Sequence, residues 1–411
     1  MRTLTGVALA AAAAVALGGC AQPAPPPGGP PDPEPPMLVR VSPDSGAVNT
    51  RPDEVLFRFD EVVAERPSGA PTLDQLVLVS PRDGTPRVSW RRTGIGVRPR
   101  RGWQENTTYV VELLPGVADL RGNRRDSSIV TVFSTGGAIP TTRISGVVFD
   151  WARGVAAGGA LVQAIVPPVG DRRDSVFYVT RADSSGRFTL PYVPPGAVTL
   201  RGVLDADRDF DLDAREPYDS LRFALRDSAR VELYAFVHDT VGPRIGNLSV
   251  QDSVTIRVTL DQPLAVDQAP DTSLVRLFAA DSTPLAIARV LSARAADSLR
   301  AAAADTVRAA RPDSAARPPT PADTARRVAA DSVPAAPTLR RPVPIAELVV
   351  RPARPLAPGT RYRLVVTGAR GLLGAVATSD RTFTTPAAAA AREAPGTPPD
   401  SAAPRPGRPP R

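Results

Sequence analysis

Lysine is absent from this chain of 411 residues, so all 50 basic side chains are arginine. Cysteine occurs once, at Cys20, and histidine once, at His238. One cysteine cannot form an internal disulfide, and a cysteine–histidine metal centre is excluded on numbers alone. A serine–histidine–aspartate arrangement would have to use His238, and no G-x-S-x-G turn accompanies it. A junction residue is the simpler expectation. The net charge of +8 suggests nucleic acid at first sight. Arginines and aspartates are interleaved, however, and no basic stripe forms, so no nucleic-acid partner is expected. Long apolar runs are missing too. The longest, over residues 7–17, is too short to span a bilayer as a permanent helix.

That short run is the first positive signal. Arg2 precedes it, and Leu17, Gly18, Gly19 and Cys20 end it. The ending resembles the lipobox of bacterial lipoprotein signal peptides. The resemblance implies cleavage before Cys20 and a lipid on its thiol. The partner would then be a membrane, held through the N-terminal lipid, and the location a cell envelope. Ala21 after the cysteine favours the outer membrane over the inner. Residues 1–20 are thus read as a lipoprotein signal peptide. In residues 21–37, nine of seventeen positions are proline, which removes donors and fixes φ, so neither helix nor sheet can form. A Pro-rich linker of extended polyproline, on the order of 50 Å long, is expected.

Residues 38–138 read as short strands between turn signals: 38–41, 55–59, 73–79, 94–98, 109–113 and 129–133. Pro35 and Pro36 open the stretch. Phe57 to Glu61 form an aromatic strand with an acidic end, Asn106 to Tyr109 an N-T-x-Y strand, and Phe133, Ser134 and Thr135 the close. This resembles the bacterial Ig-like domain of surface-layer proteins (SbsA-type), which implies a fold and no activity. Residues 142–237 differ. The turn Asp183 to Gly186 leads into the strand 187–190, and Pro194, Pro195 and Gly196 follow. That pattern resembles the carboxypeptidase regulatory-like, transthyretin-like β-sandwich, again a structural module.

Residues 240–385 repeat the first unit. Arg244 answers Met37, Asp261 answers Asp60, Tyr362 answers Tyr109, and Phe383 to Thr385 answer Phe133 to Thr135. The repeat exposes an insertion. Asp60 stands 49 positions before Tyr109, but Asp261 stands 101 before Tyr362. The excess falls on residues 292–342, which lack aromatics and are dominated by Ala, Arg, Asp and Pro. Such a segment cannot offset its chain entropy by burial. A solvated helix over 293–310, disorder beyond it, and a disordered tail over 386–411 are expected.

Candidate chemistry is sparse. Asp60 and Glu61 could form a glycosidase carboxylate pair, but Asp261 and Gln262 replace them in the repeat, so a strand-end role is expected. Trp90, Trp103 and Trp151 could make a sugar platform, although the duplication sets Trp103 against Leu356. One stretch stands out. In residues 205–216, carboxylates fall at positions one, three, five, seven, nine and twelve: Asp205, Asp207, Asp209, Asp211, Asp213 and Glu216. This is the ligand spacing of an EF-hand calcium loop, with Phe210 where the turn glycine belongs and without helical flanks. Three readings stand: a calcium site, a solvated turn neutralised by Arg201, Arg208, Arg215 or Arg222, and a strand with its acids on one face.

The expectation is therefore an all-β chain of three tandem β-sandwich domains on a Pro-rich stalk, with a low-complexity insertion and a disordered tail. It would be a non-catalytic, lipid-anchored envelope protein, structural or binding an envelope protein or polysaccharide, with calcium as its one cofactor. The alternatives are a calcium-dependent hydrolase of envelope polysaccharide or peptide, and an accessory lipoprotein of an envelope complex.

Overall fold

Seven strands of alternating or continuous apolar character build the first sandwich of this computed structural model: β1 (Leu38–Ser42), β2 (Val55–Phe59), β3 (Val77–Ser80), β4 (Arg87–Trp90), β5 (Gly94–Arg98), β6 (Thr108–Leu113) and β7 (Ile129–Ser134). One sheet runs β1-β2-β5-β4 and the other β3-β6-β7. Between them lie Val55, Phe57, Ile95, Val97, Tyr109, Val111 and Phe133, all at most 2% exposed. The structure describes residues 32–67, 72–168, 174–309 and 337–387, with side chains to 303 in the third stretch. The signal peptide, Cys20, most of the Pro-rich linker, the middle of the insertion and nearly all of the tail lie outside these residues. By contact density the chain forms two compact units, 1–139 and 140–411.

The second unit contains two further sandwiches. The middle one is made of β8 (Arg143–Asp150), β9 (Val155–Ala156), β10 (Leu161–Val166), β11 (Val176–Arg181), β12 (Arg187–Pro191), β13 (Gly196–Val203), β14 (Tyr218–Leu225) and β15 (Ser228–Ala235). Its sheets run β11-β10-β13-β14 and β12-β8-β15, with β9 beside β8 and β15 parallel to β8. The last sandwich holds β16 (Ile245–Asp252), β17 (Thr255–Leu260), β18 (Val275–Ala279), β19 (Pro284–Leu285), β20 (Ile287–Ser292), then helix α1 (Ala293–Ala309), β21 (Glu347–Pro352), β22 (Arg361–Arg370) and β23 (Val376–Thr384). Its sheets, β16-β17-β21-β20 and β19-β18-β22-β23, repeat the first domain strand for strand with β19 added. The all-β class holds throughout.

Three expectations need correction. Residues 73–79 are not one strand: a 3-10 turn, Leu73–Leu76, buries Leu73 before β3 begins. β4 and β14 are strands that the sequence reading did not include; both lie at a sheet edge, and most of their side chains are not buried. The insertion is not wholly solvated. It opens the hairpin equivalent to β4–β5, and α1 packs its first turn on the sheet, with Ala293, Ala296 and Val349 buried together. The core or rim role that the duplication favours for Trp103 holds. Trp103 is buried at 4.8 Å from Tyr109 and 5.0 Å from Phe133, while Trp90 ties its Nε1 to the Val63 carbonyl at 2.9 Å.

Candidate metal centre

The acidic stretch is the connection between β13 and β14, two antiparallel neighbours that meet at Val203 and Tyr218. The strand reading is therefore excluded. A bond from the Leu204 N–H to the Pro217 carbonyl, 2.9 Å, closes the neck of the loop. The loop folds back over the face of the β11-β10-β13-β14 sheet that points away from the core. The strand register puts Leu161, Gln163, Val179, Arg181, Arg201 and Val203 on that face. Leu161 and Val203 are nevertheless fully buried.

Phe210 anchors the cover. Its side chain is 3% exposed, the Arg181 guanidinium lies 6.0 Å from its ring, and Gln163 Nε2 donates to its carbonyl at 3.4 Å. Its φ is +64°. The sixth loop position thus takes the left-handed conformation that an EF-hand glycine supplies, and burial of the ring offsets the steric cost of a β-carbon there. Arg208 is left-handed as well, at +63°.

These two reversals gather the acids at positions one, three and five. Carboxylate oxygens of Asp205, Asp207 and Asp209 all lie within 4.8 Å of one another. Asp205 also accepts the N–H groups of Arg208, 2.7 Å, and Phe210, 3.2 Å. Partial burial pushes its carboxyl up to about 6. The two N–H bonds work against that rise, and the charges of Glu216 and Asp209 add to it. Glu216 folds across the neck, accepting from the Ala206 N–H at 2.8 Å and the Asp213 N–H at 3.1 Å. The six-ligand spacing is thereby narrowed. Asp211 and Asp213 stand outside the three-carboxylate group, and Glu216 spends its oxygens on the backbone. Arg201, Arg208, Arg215 and Arg222 make no ion pair among the described residues; Arg201 instead stacks 5.7 Å from the Tyr218 ring.

Sequence reasoning missed Gln163. It sits on β10, 2% exposed, its Nε2 donates to the loop, and its Oε1 has no hydrogen-bond partner among the described residues. The one available signal was a polar residue in an otherwise apolar strand, LVQAIV.

The other candidates have structural duties. His238 stacks on Tyr218 at 3.8 Å and Phe236 at 4.2 Å, with Nδ1 3.1 Å from the Phe236 carbonyl. Asp60 accepts the Met37 N–H at 2.9 Å and returns its own N–H to the Met37 carbonyl at 3.1 Å. Asp261 does the same with Arg244, at 2.7 and 2.9 Å. The strand-end reading of these aspartates holds. A second acidic group in the first unit joins Asp32, Glu61 and Asp119. There Asp119 accepts from the N–H groups of Arg121 and Asn123 and from the Asn123 side chain.

Compared with known proteins, residues 32–135 match the bacterial Ig-like domain family. No curated protein matches the chain. Among solved structures it is similar to the N-terminal part of the bacterial S-layer protein SbsC, at 14% identity over 35% of this chain and 24% of that one, TM-score 0.20. It is similar to an L,D-transpeptidase from Mycobacterium smegmatis at 16% identity, over 36% of this chain and 76% of that one, TM-score 0.18. A DUF3823 family protein from Bacteroides uniformis follows at 13% identity, over 60% of this chain and all of that one, TM-score 0.17. The chain spans about a quarter of the SbsC fragment.

Proposed function

We propose that this is a non-catalytic cell-envelope protein, lipid-anchored at Cys20, in which tandem β-sandwiches serve as a spacer and the β13–β14 loop of the middle sandwich binds calcium. The Ig-like match over residues 32–135 and the all-β architecture support the spacer. The lipobox-like ending at Cys20 supports the anchor, and the outer membrane is the favoured side. Partners would be the membrane through the lipid and an envelope protein or polysaccharide at the outward end.

The observation that carries the calcium reading is the convergence of the Asp205, Asp207 and Asp209 carboxylates in a loop reversed by left-handed Arg208 and Phe210. Calcium takes six to eight oxygen ligands at about 2.3–2.6 Å, supplied by carboxylates, amide carbonyls and water. Asp205, Asp207 and Asp209 would hold the ion. Asp205, whose ionisation is opposed by burial, would gain from a divalent charge. The neck of the loop is closed by two strands, so the ion would stiffen a fold rather than switch it. An affinity on the order of 10⁻⁴ to 10⁻³ M, the extracellular range, is expected. Calcium here would be structural.

Calorimetry of the chain from residue 21 onward is expected to show one calcium site, abolished in Asp205→Ala/Asp209→Ala. Absence of binding at millimolar calcium overturns the metal reading. In cells, Cys20→Ser is expected to lose lipid labelling and membrane fractionation. Unchanged fractionation overturns the anchor independently of the metal.

A further inference from the structure

The middle and last sandwiches are joined by more than the covalent linker. On the middle sandwich, Val147, Phe149 and Tyr234 form a small buried cluster apart from the main core, edged by Trp151 and Ala156. Phe149 and Tyr234 are register partners on β8 and β15, with rings 5.4 Å apart. The cluster is covered by a piece of the insertion, residues 339–342, reading Leu-Arg-Arg-Pro. Leu339 packs on the cluster. Arg341 lies over the Tyr234 ring at 4.5 Å and the Trp151 ring at 6.0 Å. Trp151 Nε1 donates to the Pro342 carbonyl at 2.9 Å. Arg340 pairs with Glu232 at 3.2 Å, and Glu232 also accepts the Tyr234 hydroxyl at 2.6 Å.

The other end of the insertion reaches the same place. Arg294, at the start of α1, donates to the Arg153 carbonyl at 3.2 Å. Gly154, in the turn after β8, has φ +69°, and a β-carbon there would come within 2.7 Å of Val343 and 2.8 Å of Arg294. Two ends of one insertion, arising from one sheet of the last sandwich, thus converge on the 150–154 turn of its neighbour.

We infer that the insertion is an interdomain clamp: its Arg-Arg-Pro arm is the ligand, bound in cis, of an aromatic and acidic site on the middle sandwich formed by Trp151, Tyr234 and Glu232. Sandwiches joined only by a linker are expected to hinge. A second attachment beside the linker removes that freedom and fixes the pair as one body. The contacts differ in weight. The Arg340–Glu232 pair is largely solvated, and such pairs contribute little. The planar Arg341 guanidinium over the two rings, and the indole N–H with its carbonyl, are the stronger elements. Trp151 and Tyr234 present apolar bodies with polar edges, which suits recognition of an arginine-rich extended segment.

The test is hydrogen exchange together with small-angle scattering on the chain from residue 21 onward. Arg341→Ala is expected to speed amide exchange by about tenfold in residues 150–156 as well as in 339–346, and to broaden the distance distribution. Trp151→Phe, which keeps an aromatic in the cluster but removes the donor, is expected to move the same amides. The double variant is expected to add little to either. Arg341→Lys, with the charge but no planar face, is expected to behave like the alanine variant. The proposal is overturned if residues 150–156 exchange at the wild-type rate in Arg341→Ala, if the distance distribution is unchanged, or if the two single effects simply add.

Discussion

Tyr109 and Tyr362 make the same hydrogen bond in two different sandwiches. Each phenol oxygen accepts the backbone N–H five residues before it, from Gln104 at 2.7 Å and from Ala357 at 2.9 Å. A threonine completes the lock in both. Thr135 accepts the Thr107 N–H at 3.0 Å and donates to the Gln104 carbonyl at 2.6 Å. Thr385 accepts the Thr360 N–H at 3.0 Å and donates to the Ala357 carbonyl at 2.6 Å. The duplication read from the sequence is therefore a duplication of hydrogen bonds as well as of strands.

The first prediction follows from this lock. Thr135→Val and Thr385→Val each leave a backbone N–H and a carbonyl without their hydroxyl partner, at a cost of about 1–3 kcal/mol. Tyr109→Phe and Tyr362→Phe each remove one acceptor, at about 1 kcal/mol. Urea unfolding measures all four. The equivalence of the two locks fails if one threonine variant is strongly destabilised and its counterpart is neutral.

Phe210 supplies the second. Phe210→Ala loses the buried ring, about 3–5 kcal/mol, and keeps a β-carbon in the left-handed region. Phe210→Gly loses the same ring but is relieved of that strain, worth about 1–2 kcal/mol. Glycine is therefore expected to be the milder substitution, the reverse of the usual order within a strand. Thermal unfolding with and without calcium ranks the two; an alanine variant as stable as the glycine variant would remove the strain argument.

These two sites also show what was legible beforehand. Tyr109, Asp60 and the closing threonine were readable because the chain states them twice, so the repeat separated strand-end features from chemistry. The acidic loop was readable from local spacing. Gln163 was not, because it is 47 positions from Phe210 and only sheet pairing brings β10 beneath the loop. β14 was hidden because it is an edge strand in which only Leu225 is buried. The clamp was hidden for a different reason. Composition marks residues 292–342 as unable to form a core of their own, yet a segment without a core can still dock on a neighbour's aromatic face.

The third prediction separates docked from solvated parts of α1. Ala296 is 1% exposed against Val349, whereas Ala303 is exposed. Ala296→Glu forces a carboxylate into an apolar contact and is expected to cost at least about 2 kcal/mol. Ala303→Glu is expected to stay within about 0.5 kcal/mol. Chemical denaturation followed by circular dichroism compares them. Equal, small effects would mean that the helix does not rest on β21.

The last prediction concerns pH and the first sandwich. Burial pushes the Glu61 carboxyl above its ordinary 4.5, and the charges of Asp119, Asp32 and Asp60 push it the same way, with Arg121 alone opposing. Asp119 moves in the other direction. Burial would raise it, but the Asn123 side chain and the N–H groups of Asn123, Gly122 and Arg121 outweigh that and hold it below 3.8. Asp119 therefore stays ionised while Glu61 loses its proton beside it. A carboxyl whose folded pKa is raised binds its proton more tightly in the folded state, so stability rises as pH falls through the folded value toward 4.5. Above the folded value the ionised Glu61 is a standing cost. Glu61→Gln keeps the shape and removes the charge. It is expected to raise the melting midpoint at pH 7 by a small amount, about 1–2 °C, and the gain is expected to vanish by pH 4, where glutamate in both folded and unfolded chains is largely protonated. Asp119→Asn is expected to lower the midpoint at pH 7, since the stability held by its depressed pKa is present above 3.8 and lost only as pH falls through the folded value. Melting curves of the three proteins at pH 7 and pH 4 decide it: a Glu61→Gln gain that persists at pH 4, or no gain at pH 7, would show that charge is not what Glu61 contributes.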